Sequence, residues 1–202
     1  MPFLDYARAR LPAAPARVLE VGCGPDGGVA PGLAAAGYDV LAIDPHAPDG
    51  PLFRRVTIEE LDEPGEFDAV VAGRVLHHVD PLGPALDKLV GLAPLLIVDE
   101  FAYDRVDPAA RAWHRRVYAE LTDPSGPSDL DEWRVAHPGL HGYALLRAEL
   151  DARYEERHFE WRPYLYRWLL EEGAKEREEQ AIEAGVIQPI GFRYTGTTRA
   201  RP

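Results

Sequence analysis

Cysteine is almost absent from this chain of 202 residues, which holds one, Cys23. A lone thiol excludes an intramolecular disulfide framework and any zinc site built on several cysteines. Long apolar runs are also missing. The longest, residues 91–98, falls far short of the roughly 20 residues that a membrane-spanning helix needs. The opening stretch Met1-Pro2-Phe3-Leu4-Asp5 has no apolar leader core, so nothing in it reads as a signal peptide, and a cytoplasmic protein is expected. Internal repeats and low-complexity segments are lacking. Positive charge is scarce: 22 Lys and Arg against 34 Asp and Glu leave a net −12. Residues 1–100 carry 7 − 16 = −9 of it and the remainder −3. Such a surface repels polyphosphate, so neither DNA nor RNA is expected as a partner. The basic stretches at 111–116 and 153–167 are interleaved with acids and read as solvated helix faces.

What is present is an ordinary globular composition, 46% hydrophobic and 28% charged, long enough to bury one core. One domain over residues 1–202 is expected, as a monomer or homodimer. The first half alternates short apolar runs with helical segments. Strands read at 17–21, 38–44, 52–57, 67–72 and 95–98, with helices at 29–36 and 82–90 between them. That alternation implies right-handed βαβ units and a mainly parallel sheet. After Glu100 the spacing predicts a helix at 106–121 and a Pro- and Gly-rich loop at 122–139. A helix at 140–152, a strand at 154–161, one or two helices over 165–184 broken near Gly173, and a last strand at 187–197 follow. Residues 102–140 thus form an insertion and a candidate lid.

The sharpest local feature is Glu20-Val21-Gly22-Cys23-Gly24-Pro25-Asp26-Gly27-Gly28, which leaves a strand and enters a helix. Gly22 and Gly24 let the backbone turn tightly and approach a ligand. Asp44 ends the second strand, twenty residues after Gly24, where a carboxylate can accept both hydroxyls of a ribose. Together they point to an adenosine-type cofactor. Glu20 bears on which one. A carboxylate beside a pyrophosphate would be repelled, whereas beside an ammonium or a sulfonium it is favourable.

Four segments in order then carry a family resemblance. Val18-Leu19-Glu20-Val21-Gly22-Cys23-Gly24-Pro25 resembles the first motif of class I S-adenosylmethionine-dependent methyltransferases, and Leu41-Ala42-Ile43-Asp44 their second. The segment from Phe67-Asp68-Ala69 through Gly73-Arg74-Val75-Leu76-His77-His78-Val79 is similar to the fourth-strand motif of the small-molecule branch, and Leu95-Leu96-Ile97-Val98-Asp99-Glu100 to the fifth strand. The resemblance spans residues 17 to about 101 and is topological beyond. It implies an α/β fold, a doubly wound seven-stranded sheet in the order 3-2-1-4-5-7-6 with the last strand antiparallel and helices on both faces. It also implies S-adenosylmethionine as cofactor, bound by Glu20, Gly22, Cys23, Gly24, Asp44, Pro45, Thr57, Ile58, Ala72 and Gly73. The third strand departs from the family's usual Asp followed by a small residue. Thr57-Ile58 stands there, offering a hydroxyl and a backbone N–H to the adenine.

Methyl transfer from a sulfonium needs a general base only if the acceptor is protonated in its ground state. His77 and His78 follow the fourth strand, on the edge where open α/β sheets bind ligands. His77 is the candidate base; the other reading is a histidine packing a helix start. Glu100 could hydrogen-bond substrate, orient His77 or anchor a loop. The expected function is methyl transfer to an O or N atom of a small-molecule acceptor, with no nucleic acid, membrane or metal involved. His137 and His141 are four apart, but Pro138 and Gly139 between them argue against a shared metal. Cys23 reads as a small residue against the ligand and His46 as a surface residue. The aromatics of 102–140 and of 154–168 read mostly as core, with one or two free to line an acceptor pocket. The alternatives are a nicotinamide-dependent oxidoreductase or epimerase, which lacks a Tyr-x-x-x-Lys pair here, and a non-catalytic methyltransferase-like binding module.

Overall fold

Near-continuous apolar runs at the centre of the chain form strands covered on both faces, as parallel strands require. The computed structural model describes residues 1–63, 66–121 and 126–199. Its strands are β1 (Arg17–Val21), β2 (Asp39–Ile43), β3 (Phe53–Arg54), β4 (Ala69–Gly73), β5 (Leu95–Phe101), β6 (Tyr154–Arg162) and β7 (Gly191–Thr198). They form one seven-stranded sheet in the order β3-β2-β1-β4-β5-β7-β6, as the family resemblance implies. β3 through β5 pair in parallel, while β7 runs antiparallel to both β5 and β6. Register places Leu19 opposite Leu41 and Val70, and Val71 opposite Ile97.

The helices are α1 (Phe3–Arg8), α2 (Ala30–Ala35), α3 (Leu82–Leu92), α4 (Pro108–Glu120), α5 (Leu130–Ala136), α6 (Tyr143–Arg153), α7 (Tyr166–Leu169) and α8 (Ala174–Glu183). Alternate strand residues sort into two cores. Leu19, Val70, Leu96 and Val98 pack with Leu86 and Leu89 of α3 and Leu146 and Leu150 of α6. Val18, Val71 and Ile97 pack with Tyr6 of α1 and Leu33 of α2. A third cluster joins Phe101 to Trp113 and Val117 of α4 and to Trp168, Leu169 and Ile190. None of the helices among the described residues is long and apolar enough to cross a membrane.

Four expectations change. The third strand shortens to two residues because Thr57 and Glu60 close a turn: the Glu60 N–H donates to Thr57 Oγ1 and the Thr57 N–H to a Glu60 carboxylate oxygen. The last strand starts at Gly191, since Pro189 has no N–H for the ladder. Residues 122–125 of the expected loop lie outside the described residues, but 130–136 are helical. Asp129 caps that helix, accepting from the N–H groups of Asp131 and Glu132. The sequence reading also has no helix at Phe3–Arg8. α1 is too short for periodicity to reveal, and its anchors lie far away in sequence: Tyr6 Oη bonds Thr195 Oγ1 at 2.9 Å, and Arg193 Nη2 donates to the Met1 carbonyl at 2.9 Å. The break expected near Gly173 is present, with Leu170 (φ 51°) and Gly173 (φ 81°) separating α7 from α8.

Glu178 of α8 is fully buried and accepts from three consecutive backbone N–H groups, those of Tyr164, Leu165 and Tyr166, at 2.7, 3.0 and 2.8 Å. Burial pushes its pKa up and those bonds pull it back. Glu178→Ala leaves the three donors without their acceptor, so urea denaturation is expected to show a loss of about 2–4 kcal/mol. A loss within measurement error would mean that the turn carries itself.

Candidate active site

β1 delivers the chain into the glycine loop at the carboxyl edge of the sheet. Gly22 sits at φ 77°, and a Cβ there would stand 2.4 Å from Val75 Cβ, so only glycine lets the exit of β4 lie against this loop. Its N–H donates to the Ile43 carbonyl at 2.8 Å, tying the loop to the end of β2. Gly24, at φ 62°, has open space where a Cβ would be. Asp44 closes the arrangement. One of its oxygens accepts from the Gly24 N–H at 3.1 Å and the other from the His46 N–H at 2.7 Å. Each oxygen keeps acceptor capacity for a ligand.

Glu20 behaves differently from the expectation of a direct ligand contact. It borders the cavity, but its carboxylate takes the N–H groups of Val29 (2.8 and 3.1 Å) and Ala30 (2.6 Å) at the start of α2. Gly28 is what admits it, since a Cβ there would stand 2.1 Å from Glu20 Oε1. Burial pushes the Glu20 carboxyl up to about 7, against the two backbone donors. Burial, then the negative charges of Glu20 and Asp44, push the Cys23 thiol up to about 12, so it is a protonated, inert wall residue.

These residues border a cavity of about 1360 Å³ running from the glycine loop to Tyr164 and Arg167. Single small-molecule sites are typically about 300–1,000 Å³, so this one has room for two ligands side by side. Gly22, Cys23, Gly24, Asp44, Pro45, Thr57, Ile58 and Gly73 all line it. The Thr57 hydroxyl is already engaged with Glu60, keeping one lone pair and its proton. Ala72 does not line it. It is wholly buried in the core, between Val21 of β1 and Val98 of β5, so its expected ligand contact is replaced by packing.

At the other end stands His77, in a 3₁₀ turn over Leu76–His78 that follows β4. Its Nδ1 lies 2.7 Å from Glu100 Oε2. Glu100 comes from β5 and is 1% exposed. It also accepts from the backbone N–H of Leu76 (2.7 Å), His77 (3.4 Å) and Phe101 (3.2 Å). Glu100 does not border the cavity, so of its expected roles the substrate contact drops out and the orienting one remains. Its carboxylate engages Nδ1, and Nε2 has no partner among the described residues, in a ring that borders the cavity. His141 clamps the turn, donating its N–H to the His77 carbonyl (2.9 Å) and its ring Nε2–H to the Val79 carbonyl (2.7 Å). His137 Nδ1 pairs instead with the Trp133 carbonyl, and no metal-binding group of His, Cys, Asp or Glu occurs among the described residues. His78 and His46 also border the cavity.

From the insertion, Trp133 and His137 reach the cavity, whereas Trp113 is buried in the third cluster. Tyr164 and Tyr166 join them, while Tyr154 is core. Sequence reasoning missed Phe3 and Leu4 of α1, together with Arg74, Arg167 and Arg193. Arg74 stands inside the fourth-strand motif beside Gly73, whereas α1, Arg167 and Arg193 reach the site from distant segments with no local signal.

Comparison with known proteins agrees with this geometry. A family model described as a methyltransferase domain matches residues 2–160. Over 95 residues the chain is 38% identical to a ubiquinone biosynthesis O-methyltransferase of Xanthomonas campestris, and that match covers 39% of this chain and 39% of the relative. The chain therefore matches well under half the length of such curated relatives. Among solved structures, an S-adenosylmethionine dependent methyltransferase from Mesorhizobium loti superposes with a TM-score of 0.59 at 18% identity, covering 96% of each chain. Magnesium protoporphyrin IX methyltransferase from Synechocystis PCC 6803, with bound SAH, gives 0.54 at 17% identity over 98% of this chain and 80% of that one. At such identities the likeness is one of fold.

Glu20 yields a pH test. Its folded pKa, about 7, lies above the ordinary 4.5, so its contribution is complete below about 4.5 and is lost as pH rises through 7. Relative to Glu20→Gln, the unmodified protein is expected to lose about 2–3 kcal/mol of stability between those limits. Urea titrations at several pH values check this, and a pH-independent difference between the two proteins would refute it.

Proposed function

Because the chain belongs to the methyltransferase-domain family, the class I enzymes that use S-adenosylmethionine, we propose that it methylates an oxygen or nitrogen of a small-molecule acceptor, with His77 as general base. The observation that carries this is the buried His77–Glu100 pair, which leaves Nε2 without a partner among the described residues, in a ring that borders the cavity. A hydroxyl suits such a base best, because it must lose a proton as it is methylated.

The residues fit the donor. Asp44 retains acceptor capacity beside the glycine loop, Asp26 belongs to that loop, and Glu59 and Asp80 also line the cavity. That negative surround suits a ligand bearing an ammonium and a sulfonium. When bound, S-adenosylmethionine supplies a methyl group already activated for in-line displacement. The chain's own work is to align the acceptor and take its proton. His77 Nε2 accepts the acceptor's proton while Nδ1–H stays on Glu100, whose carboxylate then faces an imidazolium and stabilises it. Trp133 and His137, from the insertion at 102–140, cover the acceptor end as a lid.

A nicotinamide cofactor fits worse. Its pyrophosphate would need the N–H groups at the start of α2, and Glu20 already holds those of Val29 and Ala30. A non-catalytic binding module would bind the donor and transfer nothing. We further read the chain as one domain, a monomer or homodimer, with no nucleic-acid partner.

S-adenosylhomocysteine is expected to bind with micromolar affinity, roughly −7 to −8 kcal/mol by calorimetry. Asp44→Ala should weaken that by about 1.5–3 kcal/mol. Binding of NAD without S-adenosylhomocysteine would overturn the assignment. Once an acceptor is identified by tritium transfer from labelled donor, His77→Ala should lower kcat by about 10²–10⁴ with donor affinity nearly unchanged. Glu100→Gln should cost less. Full turnover in His77→Ala would leave an enzyme that works by alignment alone.

A further inference from the structure

We propose that the acceptor is an aromatic carboxylic acid, its ring laid along the Phe101–Tyr164 wall and its carboxylate held by Arg74 and Arg167. This rests on the methyl-transfer reading above and names the substrate class of that same site.

The cavity lining carries both signs of charge: Asp26, Asp44 and Glu59 in and near the glycine loop, and Arg74, Arg167 and Arg193 from other segments. Such a cationic group is unexpected by composition in a chain of net charge −12. It is also not neutralised from within. Asp99 Oδ1 is taken by Arg193 Nε at 2.9 Å, and Arg167 reaches Asp99 Oδ2 only at 3.5 Å. Arg193 Nη1 also lies 3.5 Å from Glu160, an acid that Arg162 shares, so Asp99 and a shared Glu160 are the acids that face Arg193 and Arg167. Arg74 adds a third guanidinium, with no acidic partner among the described residues. Arg74 and Arg167 meet at Asp99: the Arg74 N–H donates to its carbonyl at 2.7 Å, and the Arg167 guanidinium stands 3.5 Å from its carboxylate.

The backbone at Arg74 supports a role beyond packing. It sits at φ 57°, the left-handed region that side chains other than glycine rarely adopt, and its N–H is fixed on the Asp99 carbonyl at 2.7 Å. Non-glycine residues held there cost on the order of 1–3 kcal/mol and cluster at ligand sites. Here the turn carries the Arg74 side chain to the cavity border instead of into the core. Arg167 is placed by its own neighbours, its guanidinium 5.7 Å from the Tyr164 ring centre and 5.3 Å from that of Tyr166.

The wall between these cations and the base is aromatic. Phe101 stacks on Tyr164 at 4.4 Å and meets the His77 ring edge-on at 4.7 Å. A flat ring against this wall lies beside His77, with a ring hydroxyl able to reach Nε2 and a carboxylate on the other side able to reach the guanidiniums. Arg forks recognise carboxylates by paired, charge-assisted hydrogen bonds that a neutral amide cannot reproduce.

The test uses the full-length protein saturated with S-adenosylhomocysteine, and two probes of equal size, 4-hydroxyphenylacetate and the uncharged 4-hydroxyphenylacetamide. Calorimetry is expected to show the acid binding about tenfold or more tighter. Arg74→Gln and Arg167→Gln should each remove most of that preference, while Arg167→Lys, which keeps the charge and loses the fork, keeps part of it. S-adenosylhomocysteine affinity should stay within about twofold in all three variants, and unchanged melting temperatures confirm that each is folded. Equal affinities for acid and amide, or no binding of the acid, overturn the proposal while leaving methyl transfer intact. Loss of S-adenosylhomocysteine affinity in the arginine variants overturns it as well, assigning those cations to the donor's own carboxylate. Failure of the unmodified protein to bind S-adenosylhomocysteine removes the methyl-transfer reading, and this one with it.

Discussion

The carboxylate of Glu100 is the contact on which the reacting end of the cavity depends. An isolated charge in that position would be prohibitively costly, because desolvating it forfeits its hydration. Three backbone N–H groups and the His77 ring converge on it instead, and those donors belong to the turn that follows β4 and to the end of β5. Charge-assisted bonds of this kind are about twice as strong as neutral ones. They hold His77 in one orientation.

The same device recurs twice. Glu20 gathers the N–H groups at the start of α2 and so shapes the glycine loop. Glu178 gathers those of residues 164–166 and so places the Tyr164 wall and the entry to α7. Each buried acid recovers part of its desolvation by closing a turn that the backbone could not otherwise satisfy, and each such turn borders the cavity. Loops at a sheet edge are ordinarily the mobile part of an α/β protein. Here the walls of the site are tied in place by buried carboxyl groups that accept from the backbone.

Sheet topology explains how acids and arginines from separate segments come to line one cavity. The parallel strands β1, β2, β4 and β5 all release their loops at one edge, which brings Gly22, Asp44, Arg74 and Glu100 together from four separate segments. The antiparallel β7 then sets Arg193 directly across from Asp99 in the register. Arg193 anchors the chain at Met1 in turn, so α1 closes one side of the cavity.

The sequence by itself determined the alternation of strands and helices, the glycine loop, the acid at the end of β2 and the position of His77 after β4, while the sheet order came from the family resemblance. The first four were legible because each is carried by residues close together in the chain: apolar period, glycine where φ is positive, an acid at a fixed spacing. The sequence reading also named Ala72 as a ligand contact and gave Glu100 three roles, and here the structure turns Ala72 into the core and sets Glu100 against the His77 ring. A strand residue's neighbourhood is set by its register against other strands, which placed Ala72 between Val21 and Val98 and turned Glu100 toward the protein. Only the tertiary structure decided that Glu20 caps a helix, that α1 and α5 border the site, and that Arg74 and Arg167 meet at Asp99. Those are contacts between segments with no shared local pattern, and their energies come from burial and charge compensation that exist only once the chain has closed on itself.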